Sequence, residues 1–118
     1  MYLDTGDNSV VRQVMLPIVG WDECRALSGG YQQNVSPRMI CAGPPTGGKS
    51  ICFGDSGGPL VCQQGDSWFQ YGISSWVFTC TEPGHASVFA SVVAYQSWIQ
   101  DITGGLYLCI KVEIIAGY

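Results

Sequence analysis

The sequence predicts a single all-β domain closed by one C-terminal α-helix, and three observations carry that expectation. The 118-residue chain is 47% apolar and 12% charged, too apolar for a disordered segment and long enough for one modest core. Its 16 glycines and four tryptophans fall among short β-branched or aromatic runs separated by turn residues, the pattern of short strands. Near the C-terminus Val92, Tyr95, Trp98, Ile99 and Ile102 recur at three- and four-residue spacing. That spacing lays an apolar stripe on a helix over Val92 to Ile102, stopped by Gly104-Gly105.

Met1 to Ser9 is a polar approach. Its Leu3-Asp4-Thr5-Gly6 is similar to the catalytic turn of aspartic peptidases, but only three residues precede Asp4 and no strand leads into the turn. A polar Asp/Gly turn is the better reading. Val10 to Val19 is β-branched and partly alternating, which suits a half-buried strand with Pro17 marking its end. An acidic turn, Asp22-Glu23, then enters Cys24. Ser28 to Val35 is a polar, glycine-bearing loop, and Pro44 to Lys49 is another. Leu60 to Cys62 continues as an apolar strand, Gln63 to Ser67 turns, and Trp68 to Trp76 is the next strand. Ile110 to Ile114 alternates like a strand inside a C-terminal tail.

The formal net charge of −4, with five Lys and Arg scattered singly, argues against nucleic acid and against an anionic membrane as partners. No transmembrane span is evident. Six cysteines in so short a chain favour an oxidising, secreted setting, and in principle they permit 15 pairings. No Cys-x-x-Cys is present and the single His85 has no companion ligand at metal spacing, so no metal and no other cofactor is expected. Met1 to Val10 carries Asp4 and Asp7 and no long apolar run, so it is not a signal peptide. A secreted location is therefore expected of a chain whose beginning is missing.

Cys52-Phe53-Gly54-Asp55-Ser56-Gly57-Gly58-Pro59-Leu60 is the stretch that carries chemistry. A serine between glycines puts a hydroxyl at a backbone bend with no bulky neighbours. The N–H groups of Gly54 and Ser56 are placed to hold a developing oxyanion, worth about 2.7–4 kcal/mol per donor where measured. The segment resembles the nucleophile motif of the trypsin/chymotrypsin family of serine peptidases. The agreement runs over six consecutive residues, Gly54 to Pro59, and into their flanks.

That resemblance extends from about Gly6 to Thr103. It leaves residues 1–5 as a polar lead-in and 104–118 as a divergent tail. Leu16 to Val19 with Asp22-Glu23-Cys24 is similar to the strand and short helix before the first cysteine of the family's second barrel. Met39 to Gly43 and Ser87 to Ser91 are similar to two of its strands, and the Trp98-Ile99 helix to its C-terminal helix. The fold implied is the second six-stranded Greek-key barrel of that architecture with a terminal helix, the first barrel being absent.

The resemblance also assigns partners and roles. It implies disulfides Cys24–Cys41 and Cys52–Cys80, and leaves Cys62 either a free thiol or joined to Cys109. Ser56 is the implied nucleophile, Gly54 and Ser56 the oxyanion hole, and Asp55 the acid that pairs with a new N-terminus on activation. An unpaired buried carboxylate is costly, so Asp55 is expected to point toward solvent or the loop to adopt a zymogen-like form. Ser75, Trp76 and Val77 would lie beside a bound peptide, whose backbone adds as a strand. Ser50, Phe53 and Ser87 complete the specificity pocket. Ser50 at its base cannot neutralise a basic side chain and Val77 narrows it, so the pocket reads as elastase-like. The base and carboxylate that a serine hydroxyl needs belong to the first barrel, and His85 reads as a loop residue. The function implied is proteolysis of protein or peptide substrates by a serine endopeptidase. This chain would be inactive alone, or would survive as a peptide-binding remnant, with the missing barrel as partner.

Overall fold

A computed structural model of the chain describes residues 11–27 and 32–105. The lead-in before Val11, Cys109 and the alternating run Ile110 to Ile114 lie outside the described residues. Five strands form one antiparallel sheet: β1 (Ile18–Val19), β2 (Met39–Ala42), β3 (Pro59–Gln64), β4 (Ser67–Trp76) and β5 (Ser87–Ser91). Their order is β1-β2-β5-β4-β3. Two helices, α1 (Trp21–Ala26) and α2 (Gln96–Thr103), and a 3₁₀ turn at Gln32–Asn34 complete the described elements.

Five strands stand among the described residues where six were expected, and β1 is much shorter than the run Val10 to Val19 that its composition favours. Strand propensity is realised through pairing and a half-buried face. Only Ile18 and Val19 find a partner, opposite Ala42 and Cys41, and the Gly43 N–H closes the ladder on the Pro17 carbonyl at 2.9 Å. From Val11 to Leu16 the chain is irregular, with Val11 99% and Met15 89% exposed.

The six-residue α1 is too short to persist alone. Asp22 and Glu23 in its first turn and Arg25 in its last suit the helix dipole, and the Arg25 guanidinium lies 4.8 Å over the Trp21 ring. Cys24 anchors it by a disulfide to Cys41 on β2, both sulfurs deep in the core with Val19, Val35, Ala86 and Val88. Leu27, Met39 and Trp76 pack against that cluster. Between β4 and its neighbours the fit is close: a Cβ on Gly72 would stand 2.9 Å from the Phe89 Cβ and 3.3 Å from the Leu60 Cβ. Only glycine lets these strands approach.

Helix α2 starts later than its apolar spacing predicts. Ser91 Oγ accepts the Ala94 N–H at 3.2 Å, so Val92 to Tyr95 form turns before the helix begins. At the other end Gly104, at φ +65°, reverses the chain and Gly105 N–H caps the Gln100 carbonyl. No residue of α2 is buried; Trp98 is 61% and Ile102 70% exposed. The apolar stripe exists, with Trp98 and Ile102 exposed, whereas Val92, Tyr95 and Ile99 are half-buried and the Arg38 guanidinium lies 5.6 Å over the Tyr95 ring.

Candidate active site

The nucleophile segment folds into two successive tight turns. Asp55 N–H donates to the Cys52 carbonyl at 3.1 Å, and Gly58 N–H to the Asp55 carbonyl at 3.0 Å. Gly54 at φ +96° and Gly57 at φ +85° make both bends, angles that a side chain resists. The second turn hooks onto β4, since Gly57 N–H donates to the Ser74 carbonyl at 2.9 Å and Ser74 N–H to the Gly58 carbonyl at 2.8 Å. A disulfide from Cys52 to Cys80, with Cα atoms 5.4 Å apart, fixes the first turn from the other side.

Ser56 stands exposed between these anchors, and its hydroxyl makes no hydrogen bond among the described residues. The N–H groups of Gly54 and Ser56 are likewise free of backbone acceptors among the described residues. Asp55 is exposed, and its Oδ2 accepts the Cys52 N–H at 2.8 Å, so the carboxylate caps its own loop. Phe53 beside it is 74% exposed.

Of the expected pocket residues, Ser50 and Ser87 bond to Ile51, next to this segment. Ser87 is wholly buried and its Oγ accepts the Ile51 N–H at 3.1 Å, so the hydroxyl faces the nucleophile segment. Ser50 Oγ accepts the Thr81 N–H at 2.9 Å and donates to the Ile51 carbonyl at 2.7 Å. Trp76 is half-buried against the core and Val77 is half-buried beyond it. β4 carries a bulge between Ser74 and Trp76, and β3 ends at the Pro59↔Ile73 pair. Ser75 is thus the extra residue, with no partner on β5 or on β3, and its exposed edge is open to another strand.

His85 is apart from this chemistry. Its ring lies 4.9 Å from Phe78, its Nδ1 is buried with no hydrogen-bond partner, and no bond joins it to Ser56. A cleft of about 370 Å³ lies elsewhere, lined by Arg38, Ala94, Tyr95, Ser97 and Trp98, and holds none of the expected site residues.

Residues 2–99 match the family model described as Trypsin. The chain belongs to the trypsin family. Among curated relatives, human Transmembrane protease serine 5 is 39% identical over 97 residues, 82% of this chain and 21% of the relative. Coagulation factor XI of Bos taurus is 37% identical over 98 residues, 82% of this chain and 15% of the relative. Human Testisin is 34% identical over 94 residues, 78% of this chain and 30% of the relative. The chain therefore spans less than a third of the length of each. The antiparallel sheet with a C-terminal helix is compatible with one barrel of the trypsin family, and the two disulfides tie its loops to that sheet.

Two residues that shape the loops beside the nucleophile segment, Gly47 and Thr81, are not marked out by the sequence reading. Gly47 lies where a Cβ would come within 2.5 Å of the Thr81 carbonyl oxygen, and Thr81 holds φ +65°. The Gly47-Gly48 pair was the available signal for a close approach. Nothing in the sequence marks Thr81.

Proposed function

We propose that this chain is the nucleophile-bearing half of a secreted serine endopeptidase that works through an acyl-enzyme. The observation that carries the reading is Ser56, exposed at a doubly anchored bend, with its own N–H and that of Gly54 unengaged. Ser56 Oγ attacks the scissile carbonyl carbon while its proton passes to a base. The two N–H groups hold the oxyanion, the C–N bond breaks, and the base returns the proton to the leaving amine. Water then adds to the ester and restores the hydroxyl. The substrate backbone lies along Ser75 to Val77 as an added strand. Val77 narrows the slot, which takes small or medium apolar side chains.

The base is the missing part. The chain's single histidine is His85, packed on Phe78 and unconnected to Ser56. The base and its carboxylate come from a first barrel on polypeptide outside this sequence. Val11, Met15, Trp98 and Ile102 are exposed apolar groups of the kind that such a barrel would cover. Two disulfides support an oxidising compartment.

A second reading, a remnant that binds peptides without cutting them, is favoured by Asp55, whose carboxylate caps its own loop instead of meeting a cation. A fluorophosphonate probe separates the two. Labelling of Ser56 once an upstream barrel is supplied, absent in Ser56→Ala, supports the endopeptidase. Failure to label with the barrel present supports the remnant.

A further inference from the structure

We propose that residues 106–114 add to the open edge of β3 as a further strand, locked there by a disulfide between Cys62 and Cys109. This goes beyond the peptidase reading and does not depend on Ser56. Among the described residues β3 stands at an edge of the sheet, with β4 as its neighbour on one side. Beyond that ladder no described backbone group bonds to Leu60 to Gln64. Such an edge is a template for another strand unless something covers it. Cys62 stands within it, half-buried, and is the one free thiol among the described residues. Cys24, Cys41, Cys52 and Cys80 are already joined in two bonds, so Cys109 is the thiol left in this chain for Cys62 to meet.

The sequence of that segment suits the edge. Leu106, Leu108, Ile110, Val112 and Ile114 alternate with Tyr107, Cys109, Lys111 and Glu113, so an extended chain has one aliphatic face and one mixed face that carries Cys109. Across β3 and β4, Val61 meets Gln70, Cys62 meets Phe69 and Gln63 meets Trp68. Neighbouring strands share their faces, so a bond from Cys109 to Cys62 puts Leu108 and Ile110 on the face of Val61 and Trp68. Trp68 is exposed there, and one register both engages the thiol and covers that ring. Tyr71 links the two regions. Its carbonyl accepts the Val92 N–H at 2.9 Å, at the turns before α2, and its hydroxyl accepts from Gln64 Nε2 at 2.8 Å, at the end of β3. After α2 the chain turns at Gly104 and Gly105, both at positive φ, and the span from Gly105 to Cys109 reaches about 14 Å when extended. Closing the bond removes two protons and two electrons from the thiols. A small-molecule disulfide accepts them by exchange and leaves as two thiols.

The test starts from the 118-residue chain made in an oxidising compartment, alkylated without reduction, digested and read by mass spectrometry. One peptide pair joining Cys62 to Cys109 is expected. Alkylated Cys62, or Cys62 bonded to a second copy of the chain, overturns the proposal. Amide exchange then tests the strand. At Leu60 to Gln64 it should be about tenfold faster in a chain ending at Gly105 than in the full chain, with Cys109→Ser between the two. Exchange in β5, which already has a neighbour on each side, should be the same in all three. Equal exchange at Leu60 to Gln64 in the full and shortened chains overturns the added strand even where the bond forms. Faster exchange in β5 as well would mean that the shortened chain has lost its fold. Cys109→Ser against the full chain then decides, and equal exchange in that pair overturns the proposal.

Discussion

The segment from Gly47 to Gly58 and the stretch from Val92 to Gly105 have similar lengths and opposite constructions. The first is tied to distant chain by a disulfide across 28 residues, by the Ser74 pair of hydrogen bonds, by Ser87 to Ile51 and by Thr81 to Ser50. The second is held mostly by its own turns, and its largest apolar side chains face outward. The difference teaches how each region is held. The nucleophile loop is fixed by bonds to distant chain, whereas the terminal helix keeps Trp98 and Ile102 exposed.

The contrast breaks most sharply at the disulfide. Replacing Cys52 and Cys80 together by Ala should lower stability by about 3–4 kcal/mol through loop-closure entropy, read by urea denaturation under non-reducing conditions. A loss below about 1 kcal/mol would place the anchoring in the hydrogen bonds instead. Gly47→Ala should cost about 1–3 kcal/mol, since the added Cβ meets backbone atoms and φ is +74°, and the same denaturation series reads it. Thr81→Gly should gain up to about 1 kcal/mol by relieving its left-handed strain, partly offset by the freer unfolded glycine. In the other region Ile102→Ser should shift stability by no more than about 0.5 kcal/mol. It should nonetheless lower any concentration-dependent association of the chain seen by sedimentation velocity, because an exposed apolar side chain is removed. An unchanged association state would mean that the helix stripe is not the sticky face.

The central strands were legible because their signals are local. Trp68 to Trp76 lies within β4 with Ser67 as its first residue, and Ser87 to Ser91, a strand that the resemblance implied, pairs with β2 and β4. The stretch before Pro17 was misread for a physical reason: its β-branched residues favour extension, but a strand also needs a neighbour, and only Ile18 and Val19 have one. The start of α2 was obscured by one hydroxyl, Ser91, competing for a backbone N–H. At the site, the Gly54 to Gly58 bend could be read from residue types. That the Ser50 hydroxyl is engaged by Thr81 depends on two loops meeting 31 residues apart, which no local pattern encodes.

The central claim is that Ser56 is built to react but has no base within this chain. The most direct measurement is hydrolysis of a chromogenic peptide by the purified 118-residue chain, compared with the same chain joined to an upstream barrel and with Ser56→Ala in each. The account predicts no Ser56-dependent turnover by the chain alone and turnover by the joined protein, abolished in Ser56→Ala. Turnover by the chain alone that disappears in Ser56→Ala would contradict it.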